Sequence, residues 1–475
     1  MTLLPLTNKK VVVVSNRPAG PRRAASGLVS ALEPILAETG GTWVASGLHS
    51  GGGAGHSRRD GPGYVVREVC ISPEEYREYY LGLANSCLWP VSHCFVDGLR
   101  FSARQWAAYR RVNARFARTA ARWGEEQSFF WVHDYHLALV PAFLRKIHPA
   151  ARVAFFWHIP FPPWDVFRVF PWSAQVLSGM LGANLVGLHT DRYVSNFLDC
   201  AQNGLGAAVD PHAGQVLHNG RWVPVKALPA GIDWQRFAEL ASSPAVRSRA
   251  ESIRRSFGGS RLLLGVDRLD YTKGLLERLE ALDLLFEEHP DLAGKVTLLQ
   301  IGVPCRENIP AYRNLRSAVE AAVGRLNGKY GQRGRVVPVR YVAHALDQEE
   351  LVAHYLAADV ALVTPVRDGL NLVAREFVAC RSDESGALVL STLAGAAEDM
   401  TSALLVNPYD TAALAAAIRR ALEMPPDEQR RRMRALRQTV QKHDLGRWWQ
   451  HTLKYAGVGT TARPVPAVIP TAVND

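Results

Sequence analysis

What this chain has little of narrows its chemistry first. Its 475 residues include only 6 Cys, and Cys70, Cys87, Cys94, Cys200, Cys305 and Cys380 lie scattered without a CxxC pair. That excludes a zinc ribbon or a disulfide framework as the organising device and favours a reducing compartment. Long apolar runs are missing too. Stretches such as Val11 to Val14 fall far short of the roughly 20 residues that cross a bilayer. The opening MTLLPLTNKK has no charged segment followed by a long apolar one, so a cytoplasmic protein without a membrane partner is expected. There is no GxGxxG after a strand, no GxxxxGK[ST] and no HExxH. A dinucleotide fingerprint, a Walker loop and a zincin site are therefore unsupported. The glycines Gly51 to Gly55 match none of these patterns. A phosphatase-like DxDxT stretch is also missing.

The charge is unbalanced, at +11 with 21% charged residues. A basic excess can serve nucleic acid, anionic membranes or anionic substrates. The arginines, however, are spread along helical stretches, as at Arg430, Arg431, Arg432 and Arg434, without interleaved aromatics. They read as a solvated helix face, and nucleic acid is not an expected partner. An anionic small molecule remains.

The composition, 48% hydrophobic, supports large cores. Apolar runs of strand length alternate with helical stretches throughout, which predicts a parallel α/β architecture. Strands are expected at Val11 to Ser15, Thr42 to Ser46, Phe129 to His133, Val153 to His158 and Leu185 to Thr190. A second set is expected at Leu262 to Asp267, Val296 to Gly302, Val336 to Val342, Val360 to Pro365 and Ala387 to Ser391. Asp347, with Glu350 three positions on, starts a helix in the manner of a capping box. A boundary near Ser242 to Ser248 would separate two doubly wound domains. A cleft between their strand carboxyl ends is the expected site.

Several polar motifs follow these strands. Ser15-Asn16-Arg17 follows the first, and Gly27 opens a helix where backbone N–H groups could meet an anion. A tight strand-to-helix turn explains Gly27 equally well. His133-Asp134-Tyr135-His136 follows another strand, and His158 a third, in FFWHIPFP. Neither has a third partner at metal-ligand spacing, so no metal is expected. VDRLDYTKG carries Arg268 and Lys273 on one turn. A planar multidentate cation beside a mobile one suits a diphosphate. A surface salt-bridge pair fits that spacing as well. In TPVRDGLNLVAREF, Asp368-Gly369 breaks the chain, Leu370, Asn371 and Leu372 lead into a helix, and Glu376 follows. That helix start can hold phosphate without a metal, and the carboxylate could take a ribose diol.

Together with ANSCLWP, NGKYGQ and STLAGAAEDMTSALLVNPYD, these stretches occur in one order from about Val11 to Trp449. In that order the chain resembles the trehalose-6-phosphate synthase family of retaining glycosyltransferases. The resemblance implies the GT-B fold, two Rossmann-like domains with a cleft between them. The acceptor-binding domain would span 1–240 and the nucleotide-sugar domain 241–442. Residues 443–457 would form a helix crossing back to the first domain, and 458–475 a disordered tail. It also implies glucose transfer from a nucleotide-glucose to glucose 6-phosphate, with no cofactor and no metal, and leaves a homo-oligomer open.

By motif, the resemblance assigns Arg268 and Lys273 to the donor diphosphate, Glu376 to the donor ribose, and Asp368 and His158 to hydroxyls of the transferred glucose. Gly27 and the segment from Gly369 to Leu372 would complete the donor site. Asp134 would contact the acceptor near the reaction centre. Arg17, Tyr80, Trp89 and Arg306 would surround the acceptor and its phosphate. Two departures stand out. Ser26 replaces the first of a glycine pair before the helix, and Trp43-Val44-Ala45-Ser46-Gly47 lacks the second tryptophan of a WFGWSG-like run. Relatives with another acceptor, glycerol 3-phosphate, therefore stay open as a reading, as does a silent sugar-phosphate-binding regulator. The donor base, UDP, GDP or ADP, is not legible.

Overall fold

The computed structural model describes residues 10–17, 27–48, 58–331 and 336–459. The expectations for Ser26, for Gly51 to Gly55 and for the tail from residue 460 onward lie outside them. Two sheets form the frame. The first has ten strands, in the order Arg58–Asp60, Val65–Ile71, Thr42–Leu48, Val11–Val14, Phe129–His133, Arg152–Phe156, Leu185–Leu188, Arg221–Ala227, Gln215–His218, Val209–Asp210. Its seven central strands pair in parallel, and antiparallel strands close both edges. The second sheet has six strands, all pairing in parallel, in the order Val339–Val342, Val296–Val303, Arg261–Arg268, Val360–Val363, Ala387–Ser391, Leu404–Val406.

Most central strands form because their residues are β-branched, aliphatic or aromatic and buried on both faces. Val11–Val14 and Val360–Val363 are buried at every position, as parallel strands covered by helices on both faces must be. In each sheet the strand order reverses once. In the first, Val11–Val14 sits between Thr42–Leu48 and Phe129–His133; in the second, Arg261–Arg268 sits between Val296–Val303 and Val360–Val363. At such a switch point neighbouring connections leave in opposite directions and open a crevice at the strand carboxyl ends. Ser15-Asn16-Arg17 and Asp134-Tyr135-His136 leave the first crevice, and Arg268 and the loop through Asp368 leave the second. The motif-bearing loops are therefore placed by topology.

Two chain segments join the halves. After strand Arg221–Ala227, the Leu228 N–H still bonds the Leu188 carbonyl at 2.7 Å, and Ile232 pairs as a bridge with Asp444. Helix Trp234–Ser242 then packs against helices Gln348–Ala357 and Leu372–Cys380, which flank the second sheet. The final helix, Leu445–Tyr455, is capped by Asp444 and returns to the first sheet. Trp448 and Trp449 lie 4.7 and 5.1 Å from the Trp131 ring, and Trp449 lies 5.8 Å from Phe129. Both tryptophans are buried, and such aromatic packing fixes one half against the other.

The expected capping box at Asp347 is half built. Asp347 accepts from the Glu350 N–H at 2.8 Å, but the Glu350 carboxylate turns to Arg249, at 2.7 Å. The run from Arg430 to Arg434 is a charged helix face, with Arg430 on Asp427, Arg432 on Glu428 and Arg434 on Glu384. All six cysteines are free thiols. No described helix is long and apolar enough to cross a membrane.

Candidate active site

The two crevices face each other across one cleft, with a cavity of about 620 Å³. The first wall begins at strand Val11–Val14. Ser15 accepts from the Trp43 indole N–H at 2.8 Å, and Asn16 accepts from the Tyr79 hydroxyl at 2.9 Å. This tie leaves Arg17 facing the cleft, where it donates to the Tyr80 hydroxyl at 2.9 Å. Tyr80 comes from Tyr76–Leu88, which is wound as a π-helix; such widened turns are rare and recur at functional sites. Trp89 follows it and forms a buried aromatic floor. Asp134 sits at φ 76°, outside the usual region for a side-chain-bearing residue. Its Oδ1 accepts from the N–H groups of Tyr135 and His158, at 3.1 and 3.3 Å.

The second wall is built from two turns. Arg268 ends its strand, and Asp270 caps the turn that follows by accepting from Thr272 N–H and Oγ1–H at 3.1 and 3.0 Å. Gly274 closes the turn at φ +65°, where a Cβ would lie 2.0 Å from the Thr364 carbonyl. Lys273 then reaches Asp368, Nζ to Oδ2, at 2.6 Å, and Asn371 donates to the same oxygen at 3.1 Å. Gly369 touches the opposite wall: a Cβ there would lie 2.3 Å from the His158 carbonyl. The Tyr193 hydroxyl also donates to the Asp368 carbonyl across the cleft, at 3.1 Å. Helix Leu372–Cys380 has no side-chain N-cap, so its first N–H groups remain available to an anion. Glu376 on that helix is buried and accepts from the Tyr355 hydroxyl at 2.9 Å.

Arg306 bridges the walls. It belongs to the loop after strand Val296–Val303, at φ 50°. Its guanidinium lies 4.1 Å from the Trp89 ring centroid and donates to the Tyr135 and Tyr312 hydroxyls at 3.1 and 2.6 Å. Arg268 approaches the same Trp89 ring at 5.4 Å. Two guanidiniums stacked on one ring and anchored by carboxylate and phenol groups form a fixed, anion-accepting floor.

With this geometry, likeness to known proteins decides the family. A model of glycosyltransferase family 20 matches residues 4–457. A trehalose-6-phosphate synthase of Mycobacterium sp. (strain KMS) is 41% identical over 436 residues, covering 90% of this chain and 88% of that protein. The corresponding protein of Mycolicibacterium smegmatis is 41% identical over 440 residues, covering 90% of this chain and 86% of that one. A solved UDP-forming α,α-trehalose-phosphate synthase of Burkholderia xenovorans, in complex with glucose-6-phosphate, superposes with TM-score 0.89 at 32% identity. It covers 94% of this chain and 100% of its own. A structure from E. coli bound with UDP-2-fluoro glucose gives TM-score 0.88 at 34% identity, over 94% of this chain and 99% of that one. The chain belongs to glycosyltransferase family 20. It is a GT-B glycosyltransferase.

The family-20 cleft brings together nearly every residue singled out in the sequence. Arg17, Gly27, Tyr80, Trp89, Asp134, His158, Arg268, Lys273, Arg306, Asp368, Leu370, Asn371, Leu372 and Glu376 all line it. Gly369 supports the cleft from behind the His158 carbonyl. Burial and placement set Glu376, Arg268 and Lys273 apart from ordinary surface charges. Glu376 is 7% exposed, so it is no solvated helix carboxylate. Arg268 and Lys273 face the cleft, not the outer surface. Sequence reasoning left His93, His136, His189, Tyr355 and Trp448 unassigned, and these also line the cavity. His136 belonged to a flagged motif. The others come from helices and loops whose local sequence carries no chemical signal.

Burial tunes the acids. Burial pushes Asp134 up to about 6 against its two backbone hydrogen bonds, and Glu376 up to about 7 against its bond from Tyr355. Burial also acts on Asp270 and Asp368, but the surrounding cations win and hold both below the usual carboxylate range. Arg306 leads at Asp270 and Lys273 at Asp368. The cleft histidines are pushed down by burial, His93 and His189 to about 3, and stay neutral. Among the described residues no three His, Cys, Asp or Glu side chains converge as a metal-ligand set.

The missing second tryptophan has a local account. Ser46 occupies its place, and both its N–H and its hydroxyl bond the Asn16 carbonyl. The small side chain ties the strand end to the loop that aims Arg17. His49, a candidate to replace the lost contact, lies outside the described residues.

Proposed function

We propose that this enzyme transfers glucose from UDP-glucose to glucose 6-phosphate with retention, forming trehalose 6-phosphate. The observation that carries the reading is the opposition of two unlike walls in one cleft. Arg268, Lys273 and the helix start after Asn371 face a polar, aromatic wall with Arg17, Tyr80, Trp89, Asp134 and the bridging Arg306. The relatives named above, one holding glucose-6-phosphate and one a UDP-sugar analogue, support the same pair of substrates. The division at residue 240, with 443–457 returning to the first half, is part of this reading.

In the reaction the bond from the glucose anomeric carbon to the diphosphate oxygen breaks. The acceptor anomeric hydroxyl oxygen bonds that carbon, and its proton passes to the departing phosphate. Arg268 and Lys273 neutralise the charge that builds on the diphosphate, and Glu376 holds the donor ribose. Lys273 must leave Asp368 to do so, which frees Asp368, beside His158, for hydroxyls of the transferred glucose. Arg17, Tyr80 and Arg306 grip the acceptor phosphate, while Trp89 and Asp134 orient its ring. Rate enhancement comes from orientation and preorganised charge. No metal has a part in these steps.

The test offers purified protein each of UDP-, GDP- and ADP-glucose against glucose 6-phosphate and glycerol 3-phosphate, with products identified by mass. Trehalose 6-phosphate formed fastest from UDP-glucose is expected. A glucosylglycerol phosphate as the sole product would overturn the acceptor, and no turnover with any pair would overturn the enzyme reading.

A further inference from the structure

Behind the cleft-facing His158 lies a second imidazole that the transfer steps leave without a role. His133 ends strand Phe129–His133 and is fully buried, packed 4.6 Å from the Trp131 ring and 6.2 Å from Trp448. Its Nδ1 lies 3.0 Å from Nε2 of His158. Its own Nε2 is buried and has no hydrogen-bond partner.

Burial drives both rings to the neutral form, His133 to about 3 and His158 well below the usual histidine range, the latter helped by His133 and His189. Between two neutral imidazoles at hydrogen-bond distance one nitrogen carries the proton and the other accepts it. The two arrangements differ in what they leave behind. If His158 donated, the tautomer of His133 would place an N–H at its buried, unpartnered Nε2. If His133 donates, only a bare lone pair is left there. Orphaned buried N–H groups are the rarer and costlier defect. The hydrogen bond on one imidazole nitrogen dictates what the other presents. With Nε2 of His158 engaged, Nδ1 is the nitrogen left for a ligand in the cleft it lines. The His158 backbone is held separately, by its N–H bond to Asp134 Oδ1 at 3.3 Å and by contact with Gly369.

We propose that His133 is a positioning residue. It donates its Nδ1–H to Nε2 of His158 and so fixes His158 as the Nδ1–H tautomer. The cleft then receives a hydrogen-bond donor aimed at a hydroxyl oxygen of the transferred glucose. This rests on the proposed function for the identity of the sugar, but the tautomer itself does not depend on activity.

The first measurement is a long-range ¹H–¹⁵N spectrum of the full-length protein labelled with ¹⁵N-histidine. His158 is assigned as the signal lost in His158→Gln. A neutral Nδ1–H tautomer is expected in the wild type, with loss of that preference in His133→Leu. An Nε2–H tautomer in the wild type, or an unchanged tautomer in His133→Leu, overturns the proposal. The wild-type spectrum decides the matter even if His133→Leu does not fold. The second measurement is kinetic. His133→Leu should lower kcat by roughly 10- to 100-fold through misorientation, with the acceptor KM little changed. His133→Asn, whose amide can stand near the Nδ1 position, should recover most of the loss. Wild-type kcat in His133→Leu overturns the role in positioning. A wild type that transfers no glucose would remove the proposed function and leave the spectral result to stand or fall alone.

Discussion

The two walls of the cleft are built in different ways. The wall proposed for the donor draws on two short stretches, Arg268 to Gly274 and Asp368 to Glu376, each a turn running from one strand into one helix. The opposite wall gathers Arg17, Tyr80 with Trp89, and Asp134 from three segments, and borrows Arg306 from the other half. The difference matches the proposed role of each wall. A diphosphate is met by backbone N–H groups and a few cations, which one strand–turn–helix unit supplies. A sugar ring with its phosphate needs aromatic faces and converging donors from several directions. Both walls carry strain at the chemistry. Asp134, Arg306 and Asn371 all adopt positive φ, which costs about 1–3 kcal/mol each and persists only where the surroundings enforce it.

Breaking the donor wall should have the largest effect. Lys273→Ala should lower kcat by roughly 30- to 1000-fold, because a contact that strengthens as charge leaves is worth about 2–4 kcal/mol. Steady-state kinetics check this, and near-wild-type turnover would remove Lys273 from the diphosphate. Breaking the acceptor wall should act on a different parameter. Arg306→Ala should raise the glucose 6-phosphate KM by roughly 10- to 100-fold, the scale of a charged hydrogen bond, with donor affinity by calorimetry nearly unchanged. A loss shared equally by both substrates would mean that the walls are not separable.

Glu376 allows a finer test on the donor side. Burial raises its carboxyl to about 7, so it ionises only above that pH and is protonated below it. If the carboxylate holds the ribose diol, the donor KM should rise several-fold as pH falls from about 8 to about 6, and the acceptor KM should not follow. Glu376→Gln should flatten that profile. A donor KM in the wild type that is flat across the window would take the ribose away from Glu376. The smallest expected effect is none: full activity in excess EDTA, because the proposed diphosphate site is made of cations and a helix start alone. A strict Mg²⁺ or Mn²⁺ requirement would show the donor wall to be incomplete as described.

Much of the frame was legible because parallel strands buried on both faces read as apolar runs. Phe129–His133 and Ala387–Ser391 match their expected bounds, and Arg261–Arg268 and Val296–Val303 run only slightly longer. Val336 to Val342 shortens to Val339–Val342. Several strands that escaped notice are mixed in character. Val65–Ile71 carries Arg67 and Glu68, and Gln215–His218 and Arg221–Ala227 form an antiparallel edge with polar residues and Pro224. Edge and half-buried strands lack the continuous apolar signal.

By itself the sequence determined which local units exist. It set the strand–turn–helix loops with their cations, the glycines Gly274 and Gly369 where a side chain would strike backbone, and through the order of its motifs the family. Only the tertiary structure decided which of these units meet. That Arg306 lies on Trp89, that Lys273 is held by Asp368, and that His133 backs His158 are contacts between residues far apart in the chain. The neutrality of the cleft histidines and the weakened acidity of Asp134 and Glu376 follow from burial in the assembled cleft. The reason is physical: hydrogen-bond geometry and desolvation depend on distance and burial in space, and two sheets meeting at their switch points set both.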